Sequence, residues 1–463
     1  MALSVQRVVF LSLLLDLFAF TIPLPLFPRL IQWYISREDG AESGLTSRTL
    51  RAVDAVRGRV LGGSLDRSTK RRWDIVLLGG LMGSIFSALQ CVISPYLGRL
   101  SDRFGRKRVL LATMVGNTLS AIVWIQSTTF ESFLLSRAIG GISEGNVQLS
   151  IAIISDVTSP ETRSRDLSLV GIAFAICFCV GPPLGAWFTN HPLPITILGD
   201  YELNVYATPA ILTLVLLSLE VILLVVALPE TRRVGKTDVA SEVKAQKAPA
   251  HERLAALSRL GRTHFLFLAL FSGVEFTLTF LSFDLFDWDN AQNGRLLMTI
   301  GIISTILQGG YVRRVKAAES LLARRGVATC AIATVIMATL PSLAYVNKLR
   351  AATSLLYVAA AFLAFTSATV VNNLNALASM QCDDAVEGEE GKDTHPELAK
   401  GRALGKFRSS GQLGRALGPI LACAAYWTVG PTTTYATSAL AMIGLYTSML
   451  HAIPTGTGSM KKL

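Results

Sequence analysis

Four charged side chains stand out because they interrupt long apolar stretches of this 463-residue sequence: Asp16, Arg137, Glu144 and Glu275. A charge at the centre of a membrane helix costs about 3 kcal/mol, so it is retained for pairing or for function. A carboxyl group in an apolar cavity favours its protonated form and can carry a proton. Arginine does not release its proton, so it must pair with a carboxylate or bind an anion. These residues therefore indicate proton binding and ion pairing.

Asp16, Arg137 and Glu144 are the candidates for proton coupling. Asp16 falls near the middle of the first apolar stretch. Arg137 and Glu144 are seven residues apart, which in a continuous helix puts them on nearly one face, about 10 Å apart. We expect Arg137 to tune the protonation of Asp16 or of Glu144, and the alternative is a static ion pair between helices. Glu220, in the sixth stretch, is expected only to bond a neighbour.

The candidate substrate-binding residues are an aromatic ring and an acid in the second half of the chain, together with amide side chains inside three of the apolar stretches. Phe271 and Glu275 are four residues apart, so an aromatic ring and an acid share one helix face. Three amide side chains are further candidates: Gln90, Gln308 and Asn372. The alternatives are packing for the ring and interhelical hydrogen bonds for the amides. An anionic substrate would use Arg137 and a cationic one Glu275, and the sequence does not choose between them.

The elements that must position these residues are membrane helices. Apolar residues make up 51% of the chain and charged residues only 16%, whereas soluble domains carry about 25% charged residues. The first stretch is not a cleavable signal, because it is too long and contains Asp16. The sequence predicts an all-α membrane protein with twelve transmembrane helices, each about 20 residues long: 8–30, 74–97, 109–128, 132–155, 167–189, 207–228, 263–283, 294–312, 326–346, 352–378, 403–425 and 431–453.

Lysine and arginine residues give the orientation. They concentrate in alternate connecting segments, which places both termini in the cytosol by the positive-inside rule. The basic segment 37–72 is an exception, and part of it fits a short amphipathic helix on the membrane surface. Because the net charge of +11 is scattered among loops, we expect no nucleic-acid partner. The six cysteines and five histidines form no metal or disulfide pattern, and no phosphate-binding loop is present. We expect no cofactor, no metal and no enzymatic activity.

The chain divides into two halves. A polar, basic segment at 231–262 separates six stretches from six, which predicts bundles at 1–230 and 263–463 joined by a cytosolic linker. Each half carries a Gly-Pro step inside a helix at the matching position, and repeated halves with interrupted helices indicate a transporter with its site between them. Five residues around these steps are predicted hinge or packing positions: Gly181, Pro182, Gly185, Gly418 and Pro419.

The hairpin GRLSDRFGRKR, at 98–108, joins the second and third stretches. Gly98 and Gly105 permit close backbone approach and a tight turn, Asp102 suits a helix N-terminus, and the basic run containing Arg106 keeps the turn out of the bilayer. This pattern resembles the loop 2–3 signature of the major facilitator superfamily. The resemblance implies that Gly98, Asp102, Gly105 and Arg106 latch the two halves together in one of the alternating states.

Three further stretches resemble the drug:proton antiporter branch of that superfamily: LDLFAFTIPLPLFP at 15–28, RAIGGISEG at 137–145 and GIAFAICFCVGPPLG at 171–185. In the third, Cys177 replaces a usual glycine. The chain looks most similar to the eukaryotic tetracycline transporter-like group. The resemblance implies the twelve-helix fold of the superfamily and proton coupling through Asp16.

The function expected from residues and resemblance is proton-coupled antiport of an amphipathic organic solute, an organic anion or a drug-like molecule. The expected partners are a small-molecule substrate, protons and the lipid bilayer, and the expected state is a monomer. Two alternatives stay open. One is a uniporter or symporter of a small metabolite on the same fold, and the other is a transport-inactive membrane receptor or scaffold.

Overall fold

The computed structural model describes residues 4–23, 26, 30, 33–34, 36–37, 67–190, 204, 206–231, 248–288, 290–315, 317–382 and 395–452. The predicted surface helix, at 49–65, lies outside these residues. The described part is built from long helices: α1 (Val5–Thr21), α2 (Arg67–Phe104), α3 (Arg106–Ile125), α4 (Phe130–Ser143), α5 (Asn146–Val157), α6 (Pro160–Asn190), α7 (Ala207–Ala227), α8 (Ala250–Phe286), α9 (Asn290–Ile306), α10 (Glu319–Tyr345), α11 (Leu349–Met380), α12 (Lys400–Val429) and α13 (Pro431–Ala452). A π-helical turn, Leu307–Val312, extends α9.

The outer faces of these helices are apolar, as expected of helices that face lipid. On α7 the side chain of Val226 is 80% exposed, and Ile222 and Val225 are exposed beside it. Its inner face buries Leu217 and Leu224 against the rest of the protein. A helix this apolar on its outside is stable only where hydrocarbon replaces water. Seven of the described helices are long and apolar enough, taken singly, to cross a membrane.

The predicted all-α membrane architecture is confirmed, with α4 and α5 together forming one of the twelve spans. Three pairs of helices bring the halves into contact: α2 packs on α12, α6 packs on α9, and α6 packs on α11. Arg137, Glu144 and Gly145 do not share one continuous helix, because α4 ends at Ser143 and α5 begins at Asn146. The expectation of a single helical stripe through Glu144 is therefore wrong.

The segment between the halves is partly helical. Helix α8 begins at Ala250, so the last part of the predicted linker 231–262 belongs to this helix. Pro249 precedes it with φ −52°, which suits a helix start, and Glu252 places a negative charge in the first turn. Residues 232–247 lie outside the described part of the chain. The division into two bundles stays a prediction.

Candidate functional site

Two buried carboxyl groups meet at one amide in the N-terminal half. The Nδ2 atom of Asn146 donates to Asp16 Oδ1 at 2.6 Å and lies 3.5 Å from Glu220 Oε1. Ser12 Oγ donates to the same oxygen of Glu220 at 2.7 Å. Asp16, Asn146 and Glu220 are at most 4% exposed. We call these three residues the acid cluster, and no described lysine or arginine forms an ion pair with it.

The break between α4 and α5 places Asn146 at this point. Asn146 is the first residue of α5, and Thr113 Oγ1 on α3 contacts its Oδ1 at 3.3 Å, which turns its Nδ2 toward the acids. Gly145 fits the break because a Cβ there would lie 3.0 Å from Leu97. From the sequence, Asn146 is only one of several polar residues that can line a central cavity, and Glu220 is expected only to bond a neighbour. No sequence signal shows that α1, α5 and α7 converge.

Glu144 lies beside the acid cluster rather than in it. It occupies the last position of the first half-helix, with ψ 95°, and accepts a hydrogen bond from Asn117 Nδ2 at 3.3 Å. The charge of Glu144 acts on Asp16, and so does the charge of Arg408 from α12 in the other half. Asp16 and Glu144 thus interact electrostatically with each other, and the arginine that acts on both is Arg408.

Arg137 occupies a different environment from the one expected. Its guanidinium carbon lies 5.5 Å from the ring centroid of Phe133, 5.9 Å from that of Trp124 and 6.0 Å from that of Phe86. Its Nε atom has no hydrogen-bond partner, and no described acid forms an ion pair with Arg137. Cation–π contacts replace the expected carboxylate. Among the described residues no contact joins Arg137 to Asp16 or Glu144, and its role in tuning their protonation stays a prediction.

In the C-terminal half, Glu275 lies on a face of α8 whose neighbouring residues are buried. Its neighbours on the same face of α8, Phe271 and Leu278, are 6% and 1% exposed, yet Glu275 itself is exposed. Arg415 on α12 is the charged residue that acts on it. The predicted pairing of ring and acid on one face holds, although Phe271 stacks on Phe267 with centroids 5.2 Å apart.

Gln308 and Asn372 are brought together at Gly171. A Cβ on Gly171 of α6 would lie 2.0 Å from Asn372 Nδ2 and 2.2 Å from Gln308 Oε1, so a larger residue here would displace both amide groups. Neither of those two amide atoms has a hydrogen-bond partner within the described residues. Gln308 lies in the π-helical turn, a feature common at functional sites. Gln90 is buried on α2, away from this pair.

The hairpin after α2 contacts the start of α12. Asp102 accepts hydrogen bonds from the backbone N–H groups of Gly401 at 2.9 Å and Arg402 at 2.8 Å, at the N-terminus of α12. Arg106 Nη1 bonds Asp102 at 2.7 Å, and its Nε bonds Asp156 at 2.9 Å. A carboxylate at a helix N-terminus is favourable because the orphan N–H groups and the helix dipole point at it.

Further contacts at this end were not foreseen from the sequence. Lys400 of α12 pairs with Asp156 of α5 at 3.3 Å and donates to the Ser155 carbonyl at 3.0 Å. Gly105 has φ +103°, which only glycine adopts without strain. Glu230 at the end of the sixth span accepts from the Arg106 backbone N–H at 2.8 Å. The two halves are thus closed on each other at the predicted cytosolic end.

The three glycines among the five predicted hinge residues sit at close helix contacts. A Cβ on Gly181 would lie 2.0 Å from Thr21 Oγ1, and one on Gly185 would lie 2.1 Å from the Ile22 carbonyl oxygen. On α12, a Cβ on Gly418 would lie 2.3 Å from the Ala269 carbonyl oxygen. Helix α6 continues through Pro182, and α12 continues through Pro419. The geometry shows close packing, and the hinge role stays a prediction.

Comparison with known proteins gives concordant matches along the whole chain. The family model "Major Facilitator Superfamily" matches residues 9–419. Major facilitator superfamily domain-containing protein 10 of Mus musculus is 33% identical over 91% of this chain and 87% of its own length, and the Homo sapiens protein is 33% identical over 94% and 90%. The tetracycline resistance protein, class H, of Pasteurella multocida is 33% identical over 23% of this chain and 26% of its own.

A solved structure also matches. It is titled the crystal structure of the human organic anion transporter MFSD10 (TETRAN), with a TM-score of 0.77 and 31% sequence identity, and the match covers 96% of this chain and 98% of that one.

Proposed function

The chain belongs to the Major Facilitator Superfamily, and from that premise we propose that it couples the movement of an organic solute to a proton by alternating access. It is a multi-pass membrane transporter, and its relatives are transporters rather than enzymes. The solute class we propose is an organic anion or a drug-like molecule, because the solved relative is titled an organic anion transporter. We further propose a monomer with both termini in the cytosol.

The acid cluster is the observation that carries the proton coupling. Two carboxyl groups around one amide donor cannot both ionise cheaply, because like charges repel and burial removes their hydration. The charge of Glu144 adds to the repulsion at Asp16. The cluster therefore holds a proton in this conformation. A second conformation that admits water would release it, which is the property that a coupling site needs.

The latch that we propose is the contact between Asp102 and the N-terminus of α12. It joins bundle 1–230 to bundle 263–463, with Arg106 holding Asp102 in place. Rocking of the bundles breaks and remakes this contact. Gln308 and Asn372, whose buried amide atoms lack partners, and Gln90, Phe271 and Glu275 are the proposed substrate contacts.

The sign of the coupling depends on the charge of the solute. Antiport requires proton and solute to compete, which a solute does when it binds the carboxylates that the proton occupies. Symport of an anion is the second candidate, and the position of Arg408 favours it. Protonating Glu144 or Asp16 removes the negative charge that acts on Arg408, so the arginine then attracts an anion more strongly.

A binding-induced pH measurement tests both candidates. The purified protein in weakly buffered detergent receives naphthalene-2-sulfonate, a permanent anion, or tetraphenylphosphonium, a permanent cation. Acidification means antiport, and alkalinisation means symport. Either change should vanish in Asp16→Asn and persist in Glu252→Gln, which removes a half-exposed carboxyl at the start of α8.

Two outcomes contradict the proposal. A solute that binds by calorimetry without any pH change removes proton coupling and leaves a uniporter. Absence of binding by every member of a broad panel of organic ions supports the receptor or scaffold alternative.

A further inference from the structure

Two arginines of α12 have no partner within the described residues. Arg408 and Arg415 lie inside a helix that runs from Lys400 to Val429. Neither forms a hydrogen bond or an ion pair with a described residue. Both are only partly exposed. Seven residues of α-helix place them on nearly the same face, about 10 Å apart along the axis.

That face points into the protein. Leu413 and Leu417, on the opposite side of α12, are 41% and 39% exposed, as expected of residues that face lipid. Ser409 Oγ donates to the Cys91 carbonyl of α2 at 2.6 Å. A Cβ on Gly414 would lie 2.4 Å from the Phe265 carbonyl oxygen of α8. The two arginines occupy the sector of α12 between its contacts with α2 and α8.

The charges that act on the two arginines come from both halves of the protein. Arg408 interacts electrostatically with Glu144 and Asp16 of the N-terminal half. Arg415 interacts electrostatically with Glu275 of the C-terminal half, which is exposed. The charges of Arg408 and Arg415 also act on His264, which is buried against Phe407. The arginines thus lie between the acids of the two bundles.

We propose that Arg408 and Arg415 bind the anionic group of an organic anion, an inference that rests on the transport function proposed above. A guanidinium presents its N–H donors in a planar fork that matches a carboxylate, sulfonate or phosphate group. A charged side chain without a direct partner is costly inside a membrane protein, so its presence indicates that it binds a ligand of opposite charge. When no anion is bound, the negative charges of Glu144 and Glu275 stabilise the two arginines electrostatically without direct contact.

A binding experiment tests the assignment on the full-length protein in detergent. Radiolabelled naphthalene-2-sulfonate is the anionic probe, and naphthalene-2-sulfonamide is the uncharged probe of the same shape. We expect Arg408→Gln and Arg415→Gln each to weaken sulfonate binding by about 10- to 100-fold, the effect of losing one charge-assisted contact. Binding of the sulfonamide should stay unchanged. The matched control is Lys406→Gln, which removes an exposed positive charge from the opposite side of α12.

The outcomes separate the inference from the proposed function. If the unmodified protein binds neither probe, its proposed action on organic anions fails. If it binds the sulfonate and both glutamine variants bind it as tightly, the function stands and the arginine site is overturned. If a variant does not fold, chemical protection of the arginines in the unmodified protein tests the site instead. The sulfonate, and not the sulfonamide, should protect Arg408 and Arg415 from phenylglyoxal in peptide mass spectrometry, and equal modification with and without sulfonate overturns the site.

Discussion

Gly98→Ala is the substitution whose effect the structure defines most sharply, because α2 and α12 touch there through backbone alone. A Cβ on Gly98 would lie 2.1 Å from the carbonyl oxygen of Gly401, and ordinary contact begins at 3.4 Å. No side chain can rotate away to make room. The alanine methyl group therefore requires the two helices to separate by about 1.3 Å at this level.

The separation reaches the two hydrogen bonds of Asp102. These bonds are 2.8 and 2.9 Å long, and a shift of this size takes them beyond hydrogen-bonding distance. A bond to a charged group contributes about 1.5–3 kcal/mol, and water recovers part of that because Asp102 is half-buried. A net loss of about 2 kcal/mol shifts the equilibrium between closed and open cytosolic ends about 30-fold toward the open form. The higher helix propensity of alanine acts on both forms alike.

Cys91 reports the opening. Its Sγ atom lies 3.4 Å from Ser409 Oγ, at the α2–α12 contact. A membrane-impermeant maleimide applied from the cytosolic side should label Cys91 about 30-fold faster in Gly98→Ala, since labelling follows the open population. The background carries Cys179→Ser, which removes the other partly exposed cysteine. Gly444→Ala is the matched control, because a Cβ there meets nothing within 4 Å. An unchanged labelling rate in a folded Gly98→Ala protein would refute the reasoning.

Two further substitutions test the charges at the same end. Asp102→Asn keeps the size of the side chain and one acceptor oxygen but removes the negative charge from the N-terminus of α12. The rate of Cys91 labelling should therefore rise about fivefold, the equivalent of about 1 kcal/mol. A rise as large as that of Gly98→Ala would contradict this. The hydrogen bond from Lys406 lowers the pKa of Glu397, so this pair stabilises the fold at neutral pH and loses that effect as the pH falls below about 4. Because the side chains of Glu397 and Lys406 are 35% and 50% exposed, solvent screens the pair and Glu397→Gln should cost less than about 0.5 kcal/mol. The measurement is a shift in thermal unfolding at pH 7 that disappears in acid; a large shift, or one that persists in acid, would count against the pairing.

The fold was predictable from the sequence because one physical requirement sets it. Hydrocarbon thickness fixes the length of each apolar stretch, and α7 begins and ends close to the predicted limits, while α10 ends close to its predicted limit. The ends of helices that extend beyond the membrane were less predictable. The start of α8 at Ala250 is polar, so the apolar pattern does not mark it. The break after Ser143 was missed because neither Ser143 nor Glu144 disfavours helix strongly. Gly145 has a low helix propensity, and the start of α5 is held by the hydrogen bond from Asn146 to Asp16, a tertiary contact that the sequence does not show.

The composition of the site was less predictable, because sequence gives the depth of a charge in the membrane but not its neighbours. Asp16 and Glu144 were chosen for their depth, and they do lie near each other. Arg137 met the same criterion, yet aromatic rings surround it. Glu220 ranked lowest in the sequence analysis, yet it shares the amide of Asn146 with Asp16. Which helices face each other decides these roles, and that is a property of the packed bundles.

Helix α12 links the closed end of the protein to its interior charges. Its N-terminus binds Asp102, and Arg408 lies two turns further along the same continuous helix, about 12 Å away. A helix transmits a displacement of its end with little bending over two turns, because its backbone hydrogen bonds resist it. Moving the start of α12 away from α2 therefore also moves Arg408 away from Glu144 and Asp16. Without that positive charge, ionising the two acids costs more free energy. The protonation of Asp16 and Glu144 is therefore coupled to whether the Asp102 contact is made or broken.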